Sequence, residues 1–221
     1  MITLAIDAST YAGDVAVLDG SRVLAEENVA MKGADRERLM PAVATALERA
    51  GVGVGDVGRV VCGGGPGSFT SLRIAGGIAK GIASGSGCPL YAAPSMALLV
   101  AGAGVRVGRY LAAIDALRTE FYVALYEVGS DATVSEIEPA RLVPAGEVER
   151  VSAEAGARIV SPSAFPNSVV ATPRARGVAH VEALLQTRGP VDVGRWEPSY
   201  GRLAEAQVRW ESAHGKPLSA G

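Results

Sequence analysis

A run of glycines, Gly63-Gly64-Gly65-Pro66-Gly67-Ser68, is the stretch of this chain whose residue types most directly suggest chemistry. Successive glycines let backbone N–H groups turn toward an anion, and the helix predicted to follow would add partial positive charge at its start. The spacing is not that of a Walker A loop, because no Lys-Ser or Lys-Thr follows, and Ser68 stands where a dinucleotide fingerprint needs its third glycine. A tight strand-to-helix connection, with glycines chosen for backbone geometry alone, is the competing explanation. A second candidate is Asp7-Ala8-Ser9-Thr10, a carboxylate able to order a metal-bound water beside hydroxyls able to meet a phosphate. An Asp in a turn also serves as a purely local acceptor. Asp115, in Ala113-Ile114-Asp115-Ala116, repeats the placement of Asp7 and points to an ATPase-like cleft between two duplicated halves. The candidate nucleotide-binding set is Asp7, Ser9, Thr10, Gly65, Gly67 and Ser68.

Other chemistries are poorly supplied. The two histidines, His180 and His214, come late and in polar or small-residue surroundings, and Ser68 lacks the Gly-x-Ser-x-Gly elbow of a serine hydrolase. Cys62 and Cys88 form no CxxC pair, which argues against zinc and against a disulfide framework. No residue is therefore assigned a catalytic or metal-ligating role.

The elements that must position these residues follow from periodicity. Residues 2–7 read as a buried strand delivering Asp7 at its end, and Gly13–Leu18 runs through Asp19-Gly20, a hairpin signal, into Arg22–Ala25. Asp35–Ala50 has helical spacing of Leu39, Val43, Ala46, Leu47 and Ala50, with Pro41 placing the start near Met40 and Gly51 supplying a stop. Arg59–Cys62 reads as a strand feeding the glycine loop, and Phe69–Ser84 as a helix capped by Ser68 or a neighbour. That helix carries Gly77 and Gly81 four apart and Ala75, Ala79 and Ala83 at the same spacing. Its small and apolar residues spread around much of the circumference, so contact on two sides is expected. A strand (Leu90–Ala93) and a helix (Ser95–Val100) follow. The Gly-rich Ala101–Gly108 stretch divides the chain into halves of 1–104 and 105–221. Tyr110–Asp115, Glu120–Glu127 and Thr133–Leu142 then read as a meander that echoes the first three strands. Pro144–Arg176 shows no clear period, and Val178–Gln186 and Gly201–Ala213 read as helices.

Net charge is −2, so no global field attracts a nucleic acid backbone or an anionic membrane. The N-terminus lacks the basic region of a signal peptide, and no segment approaches the roughly 20 apolar residues that span a bilayer. A cytoplasmic protein is expected.

Taken in order, Ile6-Asp7-Ala8-Ser9-Thr10, Gly65-Pro66-Gly67-Ser68-Phe69-Thr70-Ser71-Leu72-Arg73, Ile114-Asp115-Ala116 with Glu120-Phe121-Tyr122, and Pro198-Ser199-Tyr200-Gly201-Arg202 resemble the TsaB (YeaZ) family. The resemblance implies an α/β fold of the actin-like ATPase superfamily, built of two duplicated RNase H-like halves with mixed sheets. It also implies a non-catalytic subunit of the complex that makes N6-threonylcarbamoyladenosine at position 37 of tRNA. Such a subunit would pair with a TsaD-like catalytic paralogue and be joined by a TsaE-like ATPase. It would contact tRNA mainly through the complex, and a homodimer of the isolated chain is allowed. It would hold no cofactor of its own, with ATP or ADP at the partner interface the one nucleotide allowed. The family pairs through its first two long helices, which here places Leu39, Val43, Leu47, Phe69, Leu72, Arg73, Gly76 and Ala79 at the interface. Three residues depart from the family pattern: Asp35 replaces a histidine, Ser71 a glycine and Leu117 an arginine. An autonomous ATPase or kinase of the superfamily, or a protease, is the competing reading.

Overall fold

The computed structural model describes residues 1–31 and 37–201. Its first half runs β1 (Ile2–Asp7), β2 (Ala12–Asp19), β3 (Arg22–Ala30), α1 (Leu39–Ala50), β4 (Arg59–Gly63), α2 (Phe69–Ser86), β5 (Leu90–Ala93) and α3 (Ser95–Gly102). The second runs β6 (Gly108–Asp115), β7 (Glu120–Val128), β8 (Val134–Pro144), α4 (Val148–Glu154), β9 (Arg158–Ser161), β10 (Val169–Val170), a 3-10 segment Ala175–His180, and α5 (Glu182–Arg188). The sheets have the orders β3-β2-β1-β4-β5 and β8-β7-β6-β9-β10. In each, the first three strands form an antiparallel meander and the last two add in parallel. One topology is used twice, as in the duplicated RNase H-like architecture of actin-like proteins.

The apolar run of β1 is buried on both faces because β1 is the middle strand and is covered on each side. One face packs with Leu39, Val43 and Ala46 of α1 and Ala75 and Ala79 of α2. The other contributes to the core between the sheets, which also takes in α3, Val178 and Leu185. Met96 to Val100 of α3 are almost fully buried, which explains why that helix is apolar on every side. Pro41 falls in the first turn of α1, where its missing N–H costs nothing. The N–H groups of Leu39 and Met40 are met by the Glu37 carboxylate, and Gly51 closes the helix at φ +66°.

The expected strands are found, β1 and β5 with the same bounds, β8 shifted to Val134–Pro144 and the others extended at one or both ends. The stretch 144–176, which lacks periodicity, contains α4, β9 and β10, elements of seven residues or fewer that are too short to show a period. The helix read over Val178–Gln186 is divided: residues up to His180 form the 3-10 segment and the α-helix begins at Glu182. The helix read over Gly201–Ala213 lies, apart from Gly201, outside the described residues, as do Arg202, His214 and Asp35. The halves differ in one respect that matters below: between β9 and β10, where the first half places α2, residues 162–168 form only turns.

Candidate functional site

The glycine loop and the first-strand carboxylate come together as the sequence suggests, but the chain itself fills the space between them. Gly63 ends β4 against Asp7, and a Cβ at Gly63 would overlap the Asp7 carboxylate. The Gly64 N–H donates to the Ala93 carbonyl (2.7 Å), the Gly65 N–H to Ser95 Oγ (3.0 Å) and the Ser68 N–H to the Ser9 carbonyl (2.7 Å). Gly65 adopts φ +87°, and a Cβ there would overlap the Ser199 carbonyl; one at Gly67 would overlap the Ser9 backbone. The glycines thus admit the chain's own backbone. Thr10 Oγ1 accepts the Ala12 N–H (3.2 Å), and Ser68 Oγ donates to Ser71 Oγ (3.1 Å), so the serine at 71 is absorbed by a local hydrogen bond.

Asp7 is 1% exposed. Its Oδ1 accepts the Ser9 N–H (2.9 Å) and the Ser9 hydroxyl (2.8 Å), while Oδ2 has no hydrogen-bond partner among the described residues. Burial pushes this carboxyl above its ordinary range, against the opposing pull of the Ser95 and Ser9 groups, and burial beside Asp7 also raises the Cys62 thiol. Asp115 repeats the position of Asp7 without its surroundings. It is exposed, its Oδ1 accepts the Leu117 N–H (2.7 Å), and Leu117, Arg118 and Thr119 follow at φ of 62°, 56° and 63°. The residues Asp7, Ser9, Gly65, Gly67 and Ser68 therefore form a cluster packed by the chain's own backbone, with Thr10 beside it. Three of the loop's donors are taken by the protein, and the carboxylate faces inward.

The α1–α2 pair leaves a different opening. Leu39, Val43 and Leu47 of α1 and Leu72 and Ala79 of α2 are buried in the chain's own interior, and Gly76 lies beneath Pro198. This corrects the expectation that those six residues form an outward interface: the bulky stripe of each helix is spent on the sheet. Phe69 is half-buried, with its ring centroid 4.5 Å from that of Tyr200, and the exposed Arg73 guanidinium lies 5.3 Å from the Phe69 ring. The outward face is instead made by Met40, Val54, Gly77, Ile78, Gly81 and Gly85, around an apolar groove of about 490 Å³. Among the described residues, nothing lies within 4 Å of where a side chain would begin at Gly77, Gly81 or Gly85. A second helix backbone can therefore approach α2 closely there. The four-residue spacing of those glycines, rather than the aliphatic positions, was the signal for this face.

Two charged joints between the halves have no local sequence signal. Arg59 of β4, 6% exposed, donates to both Glu182 carboxylate oxygens (2.9 and 2.7 Å) and to Thr3 Oγ1 (2.9 Å). Hydrogen bonding from Arg59 holds the Glu182 carboxyl below its ordinary range. Asp14 of β2, fully buried, accepts the Ala175 N–H (2.6 Å) and an Asn28 side-chain N–H (3.1 Å) and pairs with Arg174 (3.1 Å). Arg174 and Arg176 also engage Glu26. Each joint uses residues more than 100 positions apart in sequence.

A family profile described as "TsaD: tRNA N6-adenosine threonylcarbamoyltransferase" matches residues 30–173. The tRNA threonylcarbamoyladenosine biosynthesis protein TsaB of Escherichia coli (strain K12) is 36% identical over 129 residues, 58% of this chain and 55% of that protein. Its namesake in Bacillus subtilis (strain 168) is 34% identical over 127 residues, 58% of this chain and 56% of that protein. The chain thus spans about half the length of the curated relatives it matches. The solved structure of YeaZ from Pseudomonas aeruginosa superposes with a TM-score of 0.72 at 26% identity, covering 90% of this chain and 99% of that one. Ordered motifs, a doubled sheet and these likenesses agree, and the chain belongs to the TsaD family, in the branch represented by TsaB (YeaZ).

Proposed function

We propose that this chain is the non-catalytic subunit of the assembly that makes N6-threonylcarbamoyladenosine at position 37 of tRNA. It docks a TsaD-like catalytic paralogue through the open face of α1 and α2, and a TsaE-like ATPase joins the complex. The observation that carries this reading is the apolar groove beside Gly77, Gly81 and Gly85, a surface shaped for another helix and, among the described residues, present in one half only. The glycine loop closed by Ser9 and Ser199 supports the absence of intrinsic phosphoryl transfer. A nucleotide at the interface would be held by the partner's residues rather than by Gly65, Gly67 and Ser68.

Reconstitution tests the reading. The purified chain alone is expected to show neither ATP turnover nor tRNA modification. Adding the TsaD-like subunit, a TsaE-like ATPase and the enzyme that forms threonylcarbamoyl-adenylate is expected to produce modified tRNA, and omitting this chain to stop it. ATP hydrolysis by the chain alone that is abolished by Asp7→Ala would overturn the proposal.

A further inference from the structure

After α5 the chain returns to the first half and runs from Val191 to Gly201 along one side of α2 without regular structure. The Val191 N–H donates to the Leu90 carbonyl on β5 (2.8 Å), and Lys80 Nζ on α2 donates to the Trp196 carbonyl (2.9 Å). Trp196 and Pro198 lie over Gly76, where a Cβ would come within 3.2 Å of Pro198 Cγ. The Ser199 N–H donates to the Gly64 carbonyl (2.8 Å), and the Tyr200 ring meets Phe69. Gly201 finally sits against the Tyr122 ring of β7, joining the strap to the second half.

Phe69, Gly76 and Lys80 recur at intervals of seven and four, which puts them on one stripe of α2. Gly77, Gly81 and Gly85 are displaced from it by one residue, about 100°, and open to the groove. The core side is held by Leu72, Ala75, Ala79, Ile82 and Ala83, and three of these five are alanines too small to bury much apolar area. Four glycines within one helix weaken it by about 0.5–1 kcal/mol each relative to alanine. A helix so composed depends on support from outside, and the strap is the neighbour that gives it.

We infer that the segment Val191–Gly201 is the backing of the docking helix: it holds α2 where the Gly77–Gly81–Gly85 stripe can receive a partner. Trp196, Pro198 and Tyr200 are positioning residues for docking and do not touch the partner. The inference rests on the docking role proposed above. It deepens that role by making partner affinity depend on residues on the far side of the helix.

Amide hydrogen exchange of the full chain alone, together with titration by the TsaD-like subunit, tests it. In Trp196→Ala/Pro198→Ala, exchange is expected to rise across residues 69–80 while α1 and both sheets stay protected. Partner affinity is expected to fall by about tenfold or more, and Trp196→Phe is expected to retain both properties. Unchanged exchange over 69–80, a rise spread evenly over the molecule, or a loosened α2 that binds the partner as well as wild type would each overturn the inference. Failure of the wild-type chain to bind the partner would instead overturn the docking role itself.

Discussion

Gly67 lies against the Ser9 backbone with no room for a side chain, so Gly67→Ala must displace one of two main-chain segments. The expected loss is about 2–4 kcal/mol in urea unfolding; a variant as stable as wild type would show that the loop is not the packing joint described. Asp14 makes a prediction about pH. Burial, the largest influence on it, raises its carboxyl from 3.8 to about 6, against opposing contributions from Asn28, the Ala175 N–H and Arg174, with Glu26 adding to the rise. Because the folded value exceeds the unfolded one, the stabilisation from this group is fully present below about pH 3.8 and is lost as pH rises through about 6. The unfolding free energy of wild type minus that of Asp14→Asn is expected to fall by about 3 kcal/mol over that window. A flat or rising difference would contradict the assignment.

For the elements, the exposed face of α2 and its buried face predict opposite outcomes for the same kind of change. Ala79→Glu puts a carboxylate into the interior and is expected to cost about 3 kcal/mol or more, whereas Gly81→Glu points into open groove and is expected to stay within about 1 kcal/mol of wild type. Thermal unfolding of the pair separates them. The two helices were legible in the sequence from their apolar spacing, and the strands from β-branched runs and the Asp19-Gly20 turn. The rotation of α2 was not, because Ala75, Ala79 and Gly77, Gly81 form parallel small-residue stripes that periodicity cannot rank. Elements such as β9 and β10 escaped notice for a related reason: at four and two residues they carry too few alternations to register. The Arg59–Glu182 joint between β4 and α5 also predicts an asymmetry. Removing Glu182 strands a buried guanidinium and is expected to cost about 3 kcal/mol, while Arg59→Ala leaves a carboxylate that is half exposed and is expected to cost less.

Across the whole molecule, the sequence suggested two halves that each begin with three strands, and the structure shows that both go on to the same five-stranded sheet order. What it could not reveal is how unequal the halves are. Among the described residues, only the first carries a long second helix, and the strap after α5 returns to that half to close its glycine loop. The same glycines that read as an anion cradle serve this closure, because a motif reports backbone freedom and not what occupies the space it leaves. A duplicated fold with a filled loop in one half and an exposed turn at Asp115 in the other supports the proposed docking role over phosphate transfer. The measurement that tests this most directly is the affinity of the chain for a TsaD-like catalytic subunit, compared between wild type and Gly81→Glu. Tight binding by wild type and a loss of about a hundredfold or more in the folded variant is the expected result; equal affinity of the two would contradict docking through the open face of α2.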